Sequence, residues 1–313
     1  MSGKTPGAIA KGLTADGIPT PGGKTNWQHS TIESILTNEK YRGSALLQKG
    51  ITTDFLTKRR KTNEGEAPQY YVEQSHEAII PPDEWEIVQL EMARRKSQGR
   101  KYSGHSIFSS RIICGDCGEA FGSKVWNSTN KYRRIVWQCN GKYRGEHRCT
   151  TPHLDEETIK AAFVRAFNSL IRNKAELIQN CRLVMERYTD CTEMNAELSR
   201  LYDEIEVVVG LNRKWVKENA RTARDSDEFM VKYREYDARY QELQTKVDEL
   251  EAAKRERQDR VKRFEIFIRA LKKQNGELTE FDESTWLAVI DKVTVRADRK
   301  LVFRFVNGMT VGE

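Results

Sequence analysis

Cys114-Gly-Asp-Cys117, followed by Cys139 and Cys149, is the stretch that decides how the rest of the chain reads. Two thiolates with two residues between them sit on one tight turn, which aims both sulfurs at a single point. Zinc takes four soft or borderline ligands in a tetrahedron, and a second loop bearing Cys139 and Cys149 completes the set. Nine residues separate the last two cysteines, a wider spacing than in common zinc fingers. His147 and His153 lie close enough in sequence to replace Cys149. Four protein ligands leave no position open for water, so the expectation is one structural Zn2+ per chain.

The surroundings of this stretch are basic. Residues 94–148 hold 13 Lys and Arg against 3 Asp and Glu, a net charge of +10. Residues 1–153 hold 23 against 15, a net of +8, while residues 154–313 hold 30 against 31, a net of −1. A positive field concentrated in one half points to a polyanionic partner, with nucleic acid first among them. The 313 residues suit two or three domains. With 38% hydrophobic and 32% charged residues, the composition fits small cores plus long solvated helices. No run of about 18 apolar residues is present to span a membrane, and the N-terminus lacks the apolar segment of a signal peptide. Six cysteines, four of them in a metal pattern, fit a reducing compartment. Cys181 and Cys191 fall on apolar helical positions and read as core residues.

Between the cysteine pairs the pattern alternates, predicting a two-stranded ribbon. Phe121, Val125, Ile135 and Trp137 fall on the side expected to pack. Lys124, Trp126, Tyr132 and Arg134 fall on the other, and Asn127–Lys131 reads as the turn. A basic, aromatic ribbon fits the major groove. The expected contacts to DNA here are Ser123, Lys124, Trp126, Lys131, Tyr132, Arg133 and Arg134. Upstream, Ser97 to Ser106 is a linker of Gly, Ser, Arg and Lys, expected to lie extended along a backbone or minor groove through Ser97, Arg100 and Lys101. Arg94 and Arg95, at the end of a helix opened by Pro82, join that basic strip. Trp85, Val88 and Met92 should face inward from this helix.

The N-terminal stretch reads as two short helices around a rigid turn. Thr5 caps, Pro6 takes the first helical position, and Gly17 ends the first helix. Ser30 and Glu33 read as a capping box for the second. Thr20, Gly22, Lys24, Asn26, Gln28, His29 and Ser30 lie between or at the start of these helices. Polar groups there suit phosphate binding and base-edge reading. Trp27 reads as a core anchor. Strands are expected at Ser44–Gln48, Ile51–Leu56 and Gln69–Glu73, with the basic tract from Lys58 to Pro68 as a mobile loop.

Beyond Asp155 the spacing is helical, with a lapse at Lys174 and a slip near Cys191. A second run from Phe229 to Leu271 carries heptads interrupted at Lys254 and Arg257. The polar break at 219–225 folds the two runs into an antiparallel coiled-coil hairpin. Its second helix, about 48 residues, would reach about 70 Å. Trp215, Arg221, Arg224 and Phe229 at its tip are candidates for pairing with another protomer. After Gly276 a short helix with Trp286 and a β-hairpin turning at Asn307-Gly308 return the chain to compact structure. The overall expectation is an α+β multidomain protein. Residues 1–96 form a small mixed domain and 97–106 a linker. Residues 107–190 begin a zinc-ribbon domain, 191–274 form the inserted coiled coil, and 275–313 pack back on the zinc domain.

Together these features resemble the large serine recombinases, the phage-type serine integrases. Gly17-Ile-Pro-Thr-Pro-Gly22, Trp27, Ile35-Leu-Thr-Asn-Glu39, Tyr41-Arg-Gly43 and His76-Glu-Ala-Ile-Ile80 resemble the family's recombinase domain. Cys114, Cys117, Cys139 and Cys149 match its zinc ribbon, and the heptad arm matches its coiled coil. The resemblance implies sequence-specific binding of one half of a double-stranded DNA attachment site. It also implies other protomers of the same integrase as partners through the arm, a directionality factor as a further partner, and the cytoplasm of a bacterial host. The family's catalytic domain would need a full domain ahead of Pro6, where five residues stand. No serine has an adjacent base or strained elbow. The expectation is therefore a DNA-binding part without its own catalysis, from a parent that is a site-specific recombinase. The rival reading is a zinc-ribbon and coiled-coil scaffold whose basic face meets RNA or another acidic partner.

Overall fold

The computed structural model describes residues 3–53, 58–63, 65–97, 106–143, 149–219 and 226–313, with backbone alone at 226–227. It divides into two units: residues 1–174 with 269–313, and residues 175–268. Architecture is α+β, and no helix among the described residues is long and apolar enough to cross a membrane.

The first unit opens with α1 (Pro6–Ala15), whose N-terminus is capped by Thr5 Oγ1 accepting from the Ala8 amide. Gly17 adopts φ +69° and turns the chain. Trp27 is half-buried rather than a core anchor. Its indole N–H donates to the Ile18 carbonyl at 2.8 Å, and its amide donates to Thr14 Oγ1 at 3.0 Å. These bonds fasten the intervening loop to α1. The second helix, α2, runs His29–Leu36 with Gln28 at the N-cap and no side-chain cap. Ser30 therefore lies inside the first turn and the expected capping box does not form. Glu33 instead lies 3.7 Å from His29 Nδ1, one turn back.

A 3-10 turn at Glu39–Arg42 leads into four short strands: β1 (Ala45–Leu47), β2 (Gly50–Thr52), β3 (Arg60–Thr62) and β4 (Tyr70–Val72). β1 pairs with β4 and β2 with β3, both antiparallel. The basic tract expected as a mobile loop thus contributes a strand at Arg60–Thr62. Asn63 explains why: its buried side chain donates to the Gln48 and Ala67 carbonyls and accepts from the Gly65 and Ala67 amides. In α3 (Pro82–Ser97), Ile87 is the buried residue, while Trp85, Val88 and Met92 are half-buried.

β5 (Ile112–Cys114) runs parallel to β9 (Ile290–Val295), β9 pairs antiparallel with β10 (Leu301–Phe305), and β10 pairs antiparallel with β11 (Thr310–Gly312) at the sheet edge. A second sheet holds β6 (Phe121–Trp126), β7 (Arg134–Cys139) and β8 (Leu154–Asp155). Beneath them lies α4 (Glu156–Ile171), which buries Ile159, Ala162, Phe163, Ala166, Phe167 and Leu170 at helical spacing. Helix α8 (Glu283–Val289) brings Trp286 against Phe108 and Phe163, with ring centroids 4.8 and 5.0 Å away in edge-on contact. Burial of aromatics on this scale, each about 1.5–3 kcal/mol, makes this the main core of the unit.

The second unit comprises most of α5 (Lys174–Thr189), then α6 (Thr192–Asn219) and most of α7 (Ser226–Lys273). Leu198 and Leu201 of α6 pack with Leu243 and Val247 of α7, flanked by Ile205, Val208 and Leu250. The helices run antiparallel: Asn195 meets Lys254, Glu204 meets Arg239, and Lys232 lies over Trp215. The two heptad interruptions have partners. Lys254 donates to Asn195 Oδ1 at 2.7 Å and Arg257 to the Asp190 carbonyl at 3.0 Å, where α5 ends. Within the first unit, the lapse at Lys174 has a similar cause: its ammonium donates to the Gln274 carbonyl at 2.8 Å, just beyond α7. Cys181 is buried as expected, whereas Cys191 is half-buried.

Candidate metal centre and nucleic-acid interface

Cys114 ends β5; its amide donates to the Glu119 carbonyl, and the Cys114 carbonyl accepts from the Gly118 amide. Gly118 at φ +74° lets this knuckle close. Cys139 ends β7, and the Gly141 amide points at its sulfur from 3.3 Å. A Cβ on Gly141 would lie 3.3 Å from Cys117 Sγ, so a side chain there would crowd the site. The four sulfurs of Cys114, Cys117, Cys139 and Cys149 lie within 4.8 Å of one another. Two pairs are closer, Cys114–Cys149 at 3.5 Å and Cys117–Cys139 at 3.3 Å. Zn–S bonds of about 2.3 Å in a tetrahedron place sulfurs about 3.8 Å apart, so the cluster fits zinc.

Cys149 is the fourth member of this cluster. His153 packs against Trp126 at a tilt, ring centroids 4.4 Å apart, and His147 lies outside the described residues. Two further residues at the site escaped the sequence reading. The fully buried hydroxyl of Thr151 lies 3.0 Å from Cys114 Sγ and 3.1 Å from Cys149 Sγ, and it donates to Asp116 Oδ2. As free thiols the ligands differ. Burial pushes Cys139 up, and the neighbouring Cys117 thiol adds to it. Burial also works against ionisation of Cys149, but its contacts with the Thr151 hydroxyl and backbone help bring it down to about 7. The signal for Thr151 was its position two residues after a ligand, which has no helical or strand periodicity to flag it.

The β6–β7 ribbon departs from expectation toward its tip. Phe121 and Trp137 are buried, yet Val125 and Ile135 on the same face are 48% and 42% exposed. Val136 and Gln138, on the opposite face, are buried. Both faces are thus covered at the base beside the cysteines, and both are open farther out. Ser123, Lys124, Lys131, Tyr132, Arg133 and Arg134 are exposed and Trp126 is half-buried. Tyr132 belongs to the turn, where its amide donates to Asn130 Oδ1. Arg134 lies over the Trp126 ring at 5.5 Å and 3.6 Å from Asp155. Lys124, Lys131 and Arg133 have no acidic partner among the described residues.

At the N-terminal helices, Gly22, Lys24, Asn26, Gln28, His29 and Ser30 are exposed. Thr20 is half-buried and structural: its hydroxyl accepts from the Lys24 amide at 3.0 Å, closing the turn. Arg94 and Arg95 are also engaged elsewhere. Arg94 grips both oxygens of Glu91 at 2.8 and 2.9 Å, and Arg95 donates to Glu91 at 2.6 Å and to the Gly3 carbonyl at 2.8 Å. Their side chains are 13% and 19% exposed, which removes them from the set of open DNA contacts. Ser97 is exposed, its hydroxyl donating to the Arg94 carbonyl. Arg100, Lys101, Arg221 and Arg224 lie outside the described residues. Trp215 and Phe229 are half-buried in the second unit.

Residues 1–95 match the family model described as Recombinase, and residues 107–168 match the Recombinase zinc beta ribbon domain. The uncharacterized protein YefB of Bacillus subtilis (strain 168) is 33% identical over 112 residues, covering 34% of this chain and 37% of that protein. The chain thus spans little more than a third of that curated relative. A solved structure described as "Crystal Structure of a LSR-DNA Complex" is 14% identical, with 96% of this chain and 79% of that one covered. Its TM-score of 0.30 is too low for any geometry to be carried across. With a recombinase domain followed directly by the recombinase zinc ribbon, whose four cysteines converge, the chain belongs to the large serine recombinases.

Proposed function

We propose that this chain binds one half of a double-stranded DNA attachment site in site-specific recombination. The observation that carries this reading is the ribbon tip. It holds Lys124, Lys131 and Arg133 exposed and without acidic partners among the described residues, beside an aromatic pair, on two strands anchored at a four-cysteine cluster. A two-stranded ribbon has the width of the major groove, and cations on it neutralise phosphates. The α1–α2 loop supplies a second contact through Lys24, Asn26, Gln28, His29 and Ser30. Its uncapped helix N-terminus favours a phosphate. Arg100 and Lys101 of the linker follow the backbone between them. Zn2+ bound by Cys114, Cys117, Cys139 and Cys149, one per chain, is structural and holds the base of the ribbon.

The helical pair of the second unit is assigned to joining protomers as a coiled coil, with Trp215, Arg221, Arg224 and Phe229 at its tip. A directionality factor is a further partner. Strand cleavage is assigned to a catalytic domain outside these residues, and the setting is the cytoplasm of a bacterial host. The test is selection of duplexes from a random pool by the purified chain, followed by footprinting. One enriched asymmetric half-site is expected. Equal capture of structured RNA with no enriched duplex would instead support an RNA-binding scaffold.

A further inference from the structure

Beside the C-terminal end of α2 lies a polar cavity of about 430 Å3, lined by Ser34, Thr37, Asn38, Lys40, Lys49 and Arg60 among others. No acidic side chain lines it. Lys49 is held in place by a buried carboxylate: Glu39 Oε2 lies 2.6 Å from its ammonium, while Glu39 Oε1 accepts from the Leu46 amide at 3.0 Å. The Lys49 side chain stays half exposed, with donors to spare. Among the described residues, neither Lys40 nor Arg60 has an acidic partner. Asn38 uses its side-chain oxygen on the Lys40 amide, which leaves its NH2 as a donor. The platform is stiff, because Asn63 ties the strand bearing Arg60 to the Gln48 carbonyl and its amide donates to the Lys49 carbonyl.

Three cations around a donor-rich, acid-free cavity on a fixed scaffold are matched by a tetrahedral oxyanion, which only accepts hydrogen bonds. We propose that this groove is a phosphate-binding site, and that the phosphate it takes belongs to a nucleic-acid backbone. The second clause rests on the DNA-binding reading above. Eight residues of α2 rise about 12 Å, so the groove and the Lys24–Ser30 loop bracket the exposed face of one helix. Backbone contacts at both ends would fix how that helix lies on a duplex.

The test is binding of the whole zinc-loaded chain to a 40-base-pair duplex of random sequence across a salt series. The Lys40→Ala/Arg60→Ala double variant should bind more weakly on all sequences. Its slope of log K against log salt should be shallower by about 0.9 for each phosphate that is no longer neutralised. Lys272→Ala/Lys273→Ala removes the same formal charge elsewhere and should leave the slope at the wild-type value. If alanine loosens the strands, seen as a lowered Tm, Lys40→Gln/Arg60→Gln replaces it with the same expectation. Equal slopes for the groove variant and wild type would overturn the site. Saturable binding of inorganic phosphate with an unchanged duplex slope would overturn the backbone assignment. A wild-type chain without salt-dependent duplex binding would instead sink the DNA reading itself.

Discussion

Glu91 gathers three guanidinium groups onto one carboxylate. Besides Arg94 and Arg95, Arg111 donates to it at 2.9 Å and also to the Ile290 carbonyl. Arg94 reaches the Ser109 carbonyl as well. The N-terminal module, the start of the zinc ribbon and the C-terminal sheet therefore meet at one side chain. Burial alone would push this carboxyl up, but the arginines outweigh it and hold it far below the usual range. A depressed carboxylate stabilises the fold fully above its unfolded pKa of about 4.3, and that stability is lost as pH falls below it. Glu91→Ala should cost about 3–5 kcal/mol at neutral pH by leaving buried Arg111 unpaired. For Glu91→Gln, the deficit against wild type should stay constant above about pH 5 and shrink in more acidic solution. Chemical denaturation at several pH values reads this, and a pH-independent deficit would deny the ion pair its role. The metal ligands predict more severely: Cys114→Ser or Cys139→Ser should lose bound zinc and unfold the ribbon module, since structural zinc contributes on the order of 10 kcal/mol. Retention of one zinc per chain in both variants would reject the ligand set.

Among the elements, the β6–β7 ribbon and the helices mark what the sequence made legible. Alternation at Phe121–Trp126 and Arg134–Cys139 gave two antiparallel strands in register, and apolar spacing gave α4 and the 48-residue α7. Alternation cannot tell how far a strand runs past the body that covers it. That is why Val125 and Ile135 read as core yet lie exposed, while Val136, on the opposite face, is buried. Arg94 and Arg95 misled for a related reason. A basic run looks the same whether it meets phosphate or a glutamate one turn back, and only the fold supplies Arg111 from 20 residues away. The β3 strand was hidden because its order comes from the Asn63 side chain rather than from an apolar pattern. Within the ribbon, Arg134 stands apart from its basic neighbours because Trp126 and Asp155 both hold it. A prearranged guanidinium suits guanine better than a free one. Arg134→Ala should therefore cost about 1–3 kcal/mol on the selected half-site and relax preference at particular positions. Lys131→Ala should weaken selected and random duplex alike. Equal losses on both duplexes for Arg134→Ala would reduce it to a phosphate contact.

At the scale of the whole molecule, charge and packing divide the chain in a similar place. The net charge is +8 through residue 153 and −1 beyond it. The compact unit of residues 175–268 carries its own apolar seam of Leu198, Leu201, Leu243 and Val247. Its outer faces are laced with ion pairs such as Arg239–Glu204 and Arg255–Glu251, each worth only about 0.2–1 kcal/mol in water. Such a surface is balanced in sign and offers a duplex little net attraction. It does leave Val207, Leu211 and Val231 exposed, at 61%, 46% and 57%, along helices that need no further cover for their own seam. Association through so small an apolar surface would be weak and reversible, as a pairing step that must later release requires. Replacing Ala196 through Val261 with a short glycine linker should then leave zinc content and half-site affinity nearly unchanged. The aromatic core around Trp286 and the Glu91 node both lie outside the deleted segment. In a recombinase that carries these residues together with a catalytic domain, the same deletion should abolish the joining of two bound sites while each site stays occupied. Gel shifts with one and two sites separate these effects. A loss of more than about 2 kcal/mol in half-site affinity, the size of real base contacts, would mean that the helical arm itself touches DNA.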